Sequence, residues 1–267
     1  MERCGEAAVA LLDILGFTAR ASGLPAVDAR RRFLDPLLKA ALDAEAFLNL
    51  DFKRARVDAR FEFMQFADTV ALVLPRANEG LLGKPEQVVE SLAYGCALVI
   101  GSALWSGIPL RGALAYGEVM RSNDPAYLLG AAVFDAHAQA SNQEWAGAVL
   151  CDSAVGVLAQ GDTLRCVEWS VPVKGGASEL RWCVNWPMHS DGPDVQRPDL
   201  DGRMIGGPTP DWDACFGRDD EDGLEKRMNM KAFFEFQQRN CRAYAPRVGP
   251  ETVKNPEAWR QLYDGRR

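Results

Sequence analysis

EAAVALLDILGFTAR, residues 6–20, sets a single carboxylate, Asp13, into an otherwise apolar run. The segment Ala7 to Leu12 has the length of a buried strand, and Gly16 with Thr18 marks a turn leading into a helix. An ionised carboxylate removed from water without compensation costs several kcal/mol or more, so Asp13 needs hydrogen bonds, a cation or a proton. A metal ion is one answer.

Outward from that strand (7–14), a helix is expected over about 26–48, because Phe33, Leu34, Leu37, Leu38, Ala41 and Leu42 recur on one face and Arg30, Arg31, Arg32, Lys39 and Asp43 on the other. ARFEFMQFADTVALVLP, residues 59–75, reads as a hairpin turning at Ala67 and Asp68. Helix 86–105, strand 109–116, a loop through RSNDPAY, helix 130–141 and strand 146–150 follow. VEWSVPVKGGASELRWCVNWP, residues 167–187, is a second hairpin with Gly175 and Gly176 at its turn. From about 188 to 223 the composition shifts to Asp, Gly and Pro, an irregular crossing segment, before a final helix in GLEKRMNMKAFFEFQQRN. The order βαββαβ with further αβ elements predicts an α+β fold with a ferredoxin-like sheet. Residues 1–187 form the expected domain, and 188–267 an extension packed on it or swapped between subunits.

The 267 residues, 48% hydrophobic and 25% charged, suffice for a substantial core. A formal net charge of -7 argues against a nucleic-acid backbone as the main partner. Seven cysteines without a C-x-x-C pair, joined by only His137 and His189, fit neither a zinc nor a disulfide framework and favour a reducing compartment. MERCGEAAVALLD carries Glu2, Glu6 and Asp13 where a secretory leader wants a basic start and an unbroken apolar core, so a cytoplasmic location is expected. SLAYGCALVIGSALWSGIPL, residues 91–110, is uncharged and long, but its Gly, Ser and Ala content and its Gly-Ile-Pro end read as a buried helix of about four turns followed by a strand. No membrane partner is expected.

In a βαββαβ sheet the first strand lies beside the hairpin, so Asp13 and Asp68 converge although 55 positions separate them. Paired carboxylates in apolar strands suit hard divalent cations such as Mg²⁺ or Mn²⁺, which take oxygen ligands and keep positions open for substrate phosphates. The plainer alternative makes Asp68 a turn residue bonded to its own backbone.

At this point five motifs fall into order over about residues 6–187. VALLDILGFTA resembles the first strand and phosphate-binding turn of the class III nucleotide cyclases. FADTVALV is similar to their second metal segment, IPLRGALAYGEVM to their R-x-G strand, YLLGAAVFDAHAQAS to their glycine-started helix, and VPVKGGASELRWCVNW to their V-K-G hairpin. In detail the chain is most similar to the Pycsar pyrimidine cyclases of bacterial antiphage defence, which make cyclic CMP or cyclic UMP and thereby switch on a separate effector protein.

That resemblance implies two Mn²⁺ or Mg²⁺ ions per site on Asp13, Asp68 and the backbone carbonyl of Ile14. It implies a phosphate cradle at Gly16, Phe17 and Thr18, phosphate binding by Arg111, and a further charge on the triphosphate from Lys174 of a partner subunit in a homodimer. Met64 and Tyr127 stand where adenylyl cyclases read a purine with lysine and aspartate, which implies a pyrimidine triphosphate, UTP before CTP. Phe134 and Ala138 occupy the usual transition-state Asn and Arg positions. Asp135 and Gln139, one helical turn apart, are more simply a solvated face, and His137 a satisfied buried or surface histidine rather than a proton carrier. A purine cyclase, a silent cyclase-fold binding module and a metal-dependent phosphatase or kinase-like enzyme are the alternatives; the chain has neither a D-x-D at Asp13 nor a G-x-x-x-x-G-K segment.

Overall fold

A computed structural model describes residues 3–123, 126–158, 165–188, 212–216 and 221–244. The expected α+β architecture is present. Strands β1 (Arg3–Ile14), β2 (Glu62–Phe66), β3 (Thr69–Pro75) and β4 (Leu110–Asn123) lie in the order β2-β3-β1-β4, every neighbouring pair antiparallel, which is the ferredoxin-like arrangement. The sheet extends past β4 through β6 (Gly147–Leu150), parallel to β4, and then through β8 (Ala177–Val184) and β7 (Cys166–Val173), while β5 (Ala126–Leu129) pairs only with the far end of β4.

β1 is buried on both faces over Ala7 to Ala10, then alternates, with Leu12 and Ile14 inside and Leu11 and Asp13 partly open. It begins at Arg3 rather than at residue 7. The polar stretch breaks the apolar pattern but still finds ladder partners, Gly5 against Val119 and Glu6 against Glu118.

The chain leaves β1 through α1 (Phe17–Ala21) and α2 (Ala26–Ala29), then passes a π-helical turn, Arg30–Leu34, into α3 (Asp35–Arg54). The expected single helix over 26–48 is thus interrupted, and it runs on to Arg54. Pro36 has no N–H to offer the carbonyl of Arg32, and a wider π turn absorbs that lost bond. Beyond it, Leu37, Ala40, Ala41, Ala44, Leu48 and Phe52 supply a continuous buried stripe.

Helix α4 (Pro85–Trp105) packs between α3 and strands β1, β3 and β4. Among the described residues it is the one helix long and apolar enough to cross a membrane, and 72% of its apolar window is buried inside the protein. The expected loop at 121–127 is instead, where described, the end of β4 and the start of β5, with Arg121 paired to Leu128 and Ser122 to Tyr127; residues 124–125 lie outside the described residues. Helix α5 (Ala131–Asn142) packs on β4 and β1 through Ala132, Ala136 and Ala140. A short α6 (Asp152–Val155) follows β6, and the β7–β8 hairpin turns at Gly175 and Gly176 as expected, with φ of 92° and 78°.

Most of the segment expected to be irregular lies outside the described residues, but α7 (Trp212–Phe216) and the first residues of α8 (Glu221–Tyr244) fall within it. The expected final helix is α8, longer at both ends. The described cysteines are free thiols, Cys4 exposed and Cys96, Cys151, Cys166, Cys183 and Cys215 buried.

Candidate active site

Register carries the site. Phe66, Thr69, Asp13, Arg111 and Gly147 lie in one row across β2, β3, β1, β4 and β6. Asp68 follows the turn residue Ala67, directly beside Thr69 in that row. Its carbonyl accepts the Ile14 N–H at 3.1 Å, so the hairpin tip is tied to the end of β1 and the two acids share one edge. Ala67 adopts φ 52°, a left-handed conformation usually left to glycine at the first centre of such a tight turn.

Asp13 is not unpaired. Arg111, opposite it on β4, donates Nη2–H to Asp13 Oδ2 at 3.1 Å and Nη1–H to the carbonyl of Gln143 at 3.0 Å. The two side chains are 26% and 18% exposed, so the pair is only partly screened by water. Burial nevertheless pushes the Asp13 carboxyl above its usual range; Arg111 opposes the rise, and the negative charge of Asp68 adds to it. The third nitrogen of the Arg111 guanidinium, Nε, is also buried and meets no acceptor among the described residues.

Immediately after β1, Gly16 takes φ 71° as the residue before α1, a backbone state that a side chain would strain. Its carbonyl accepts the Arg20 N–H at 3.0 Å, and the Leu15 N–H bonds the carbonyl of Pro109 at 2.9 Å, two residues before Arg111. Phe17 packs edge-on against Phe33 with ring centres 5.9 Å apart, and Thr18 is exposed. The first N–H groups of a helical turn have no acceptor within it, so this turn faces solvent with free donors a short way from Asp13.

The sheet brings Asp13, Ile14, Asp68, Arg111 and the 16–18 turn together. Met64 is half-buried on β2, in the row of Ala71, Leu11 and Ala113, two residues along from Asp13. Tyr127 is not with them: its row crosses β4 at Ser122, nine residues beyond Ala113, about 30 Å along the strand. Lys174 is exposed at the tip of the β7–β8 hairpin, where its N–H bonds the carbonyl of Asn142 at 2.9 Å and the preceding Val173 bridges to Gln143.

On α5, Phe134 is 62% exposed, and Asp135, His137 and Ala138 are exposed with it while Gln139 is half-buried. The solvated-face reading fits Asp135 but not the half-buried Gln139, and His137 is a surface histidine. The charge of Asp135 reaches toward the Cys151 thiol, whose pKa is pushed up to about 12, chiefly by burial.

Two residues that the sequence did not single out stand behind Arg111: Gln143, 2% exposed, and Trp145, fully buried. A lone glutamine after a helix end carries no pattern that marks it, and only its contacts give it a role.

Chemically, the cluster offers oxygen ligands only. Among the described residues no group of three or more His, Cys, Asp or Glu side chains is placed so that it could hold a metal ion by itself. Two carboxylates, one on β1 and one in the neighbouring β2–β3 turn, mutually repelling and beside a backbone carbonyl, suit a hard divalent ion that completes its shell with water and phosphate oxygens. The unpartnered Nε–H of Arg111 suits an anion beside it.

No family model and no curated protein matches the sequence. Among solved structures, the chain is similar to the catalytic core of a rhodopsin-guanylyl cyclase with converted specificity in complex with ATPαS, at 17% identity, with 69% of this chain and 98% of that one covered and a TM-score of 0.49. It is similar also to the adenylyl cyclase CyaB from P. aeruginosa, at 14% identity, with 69% and 95% covered and a TM-score of 0.47. A bacterial light-regulated adenylyl cyclase gives 13% identity, 70% and 54% coverage and a TM-score of 0.43. At this distance the likenesses concern architecture alone.

Proposed function

We propose that the chain is a metal-dependent nucleotidyl cyclase that converts a pyrimidine ribonucleoside triphosphate, UTP before CTP, to its 3',5'-cyclic monophosphate and pyrophosphate. The observation that carries this reading is the placement of Asp13 and Asp68 at one sheet edge with Arg111 in register beside them. Asp13, Asp68 and the Ile14 carbonyl would hold Mn²⁺ or Mg²⁺. Bound there, the ions supply acidity to the ribose 3'-hydroxyl and charge neutralisation at the α-phosphate.

The chain's own groups bind and orient the rest. Arg111 exchanges its bond to Asp13 for a phosphate oxygen and finds an acceptor for Nε–H in the same anion. The N–H groups at Gly16 to Thr18 meet further phosphate oxygens. A bond forms between the 3'-oxygen and the α-phosphorus, the bond from that phosphorus to pyrophosphate breaks, and the hydroxyl proton passes to solvent. Phosphoryl transfer asks for positioning and electrostatics more than for a protein nucleophile, so the lack of a histidine in the cluster is no obstacle.

The base choice rests on Met64 and Tyr127, which replace a lysine and an aspartate of purine cyclases. With Tyr127 far along β4 from Asp13, it would act on the site of another subunit, as Lys174 would. A homodimer is further supported by exposed apolar residues clustered on β4, β5 and α5: Met120 at 40% opposite Leu129 at 49%, and Phe134 at 62%. The cyclic product would act as a second messenger on a separate effector protein.

Incubating the purified chain with Mn²⁺ and each of the four ribonucleoside triphosphates, with product mass as readout, tests the proposal. A purine product would keep the cyclase and overturn the pyrimidine choice; no product from any of the four would leave a silent binding module. For the dimer, mixing Asp13→Ala with Lys174→Ala under subunit exchange should restore about a quarter of wild-type turnover, since half of the dimers hold one intact site.

A further inference from the structure

Arg111 is held from behind by a buried relay that ends on the C-terminal extension. Its Nη1–H bonds the backbone carbonyl of Gln143 at 3.0 Å. The Gln143 side chain is fully committed: Nε2 donates to the carbonyl of Gly112 at 2.8 Å, next in sequence to Arg111, and to that of Gln139 at 2.9 Å. Oε1 accepts the Trp145 Nε1–H at 2.8 Å. A buried amide with every group satisfied has one favourable orientation, and losing one partner leaves the other unpaired at a cost.

Trp145 is fixed from two sides. Its ring lies over Gly147, the row partner of Arg111, so closely that a Cβ there would stand 2.6 Å from a ring carbon. On the other side it meets Phe233 of α8 edge-to-face, ring centres 4.8 Å apart at 81°. Phe233 is itself fully buried and also packs edge-on against Trp169 at 5.5 Å. Lys226 of α8 pairs with Glu144 at 3.4 Å, within the same four-residue connection. The Glu144 N–H of that connection bonds the β7–β8 hairpin at the Pro172 carbonyl, and the Asn142 carbonyl just before it accepts the Lys174 N–H.

We infer that Gln143 and Trp145 are positioning residues for Arg111, and that α8, through Phe233, is part of the site's scaffold. The use of Arg111 on a triphosphate rests on the function proposed above, but the relay itself does not.

Trp145→Phe separates packing from positioning: it keeps a ring against Phe233 and removes the donor to the Gln143 side-chain oxygen. Trp186→Phe is the matched control, since Trp186 is equally buried and packs on Phe233 and Phe234 at 6.4 and 5.9 Å, with no bond to Gln143. In protein labelled with 15N-arginine, the Arg111 guanidinium, assigned against Arg111→Lys, should show restricted rotation in the wild type and in Trp186→Phe and averaged signals in Trp145→Phe. Phe233→Ala should free it as well, and the Trp145→Phe, Phe233→Ala pair should do no more than either alone. Arg111 equally restricted in Trp145→Phe, or equally freed in Trp186→Phe, would overturn the inference. Binding of inorganic tripolyphosphate with Mn²⁺, read by calorimetry on the same proteins, should weaken about tenfold in Trp145→Phe alone. If the guanidinium is freed as stated but the wild type does not bind tripolyphosphate, the relay stands and the functional reading falls; if the wild type binds and Trp145→Phe binds equally well, the relay falls.

Discussion

The two ends of β1 each carry an acid paired with an arginine, and they differ in nearly everything else. At the start of the strand Glu6 pairs with Arg76, the side chains 50% and 39% exposed, beside a cavity of about 430 Å³ lined also by Cys4, Asn78 and Arg121. Arg76 there donates Nε–H to the carbonyl of Gly83 at 2.7 Å, and its own N–H bonds the Glu6 carbonyl at 2.9 Å, so the pair straps the end of β3 to β1. At the far end Asp13 and Arg111 are half as exposed, a second carboxylate stands beside them, and the arginine Nε–H has no partner among the described residues. That hollow lies at the opposite end of β1 from the charged cluster. A strap uses up its hydrogen bonds; a site holds unbalanced charge and a spare donor ready for a ligand.

The largest expected effect breaks the comparison outright. Asp13→Asn or Asp68→Asn should cut turnover in the proposed cyclisation by about a thousandfold or more, the scale of losing an ion that offsets transition-state charge. Glu6→Gln should change it less than about twofold, as expected of a surface pair remote from the reaction. Turnover measured alongside circular dichroism checks both; equal losses at the two ends would remove the distinction.

Next in size, Arg111→Lys should raise the KM for the triphosphate by about ten- to a hundredfold with the fold intact, because a lysine offers a point charge in place of a planar fork. Arg76→Lys should leave KM unchanged. A KM unaffected by Arg111→Lys would detach that residue from the phosphates.

A pH series without divalent ions sharpens the electrostatic contrast. The carboxyl of Asp13 is raised from an ordinary 3.8, chiefly by burial. The folded state thus holds that proton more tightly than the unfolded chain, so the contribution is fully present below the ordinary value and is lost as pH rises through the raised one. Melting temperature should fall over that window in the wild type more than in Asp13→Asn, and Mn²⁺ at neutral pH should restore it in the wild type alone. Parallel curves for the two proteins would contradict the assignment.

The smallest effect concerns the turn that carries Asp68. Ala67→Gly should stabilise the protein by about 1 kcal/mol or less, since glycine takes the left-handed conformation without a Cβ clash while adding freedom to the unfolded chain. Denaturant titration measures it, and a clear loss of stability would mean that the turn is unstrained.

Much of this was legible in the residues because its causes are local. The apolar run ending at Asp13, the two-residue turn before Thr69 and the Gly175–Gly176 hairpin are written in the period-2 alternation and in turn chemistry, and the βαββαβ order follows from them. Strand adjacency in that order also implied that Asp13 and Asp68 meet. Where the pattern misled, partners from elsewhere in the chain had overridden it. The polar start of β1 is a strand because β4 continues alongside, and residues 121–123 join β4 because β5 folds back on them.

What only the tertiary structure decided is register and long-range contact. That Asp13 faces Arg111 across 98 positions depends on pairing between β1 and β4, and a slip of one residue would turn one of them to the opposite face. Gln143 and Phe233 carry no local signature at all. A satisfied buried amide and a ring against a ring are properties of what surrounds them, and their neighbours on β4 and α8 are brought there by the sheet and by the docking of the C-terminal helix.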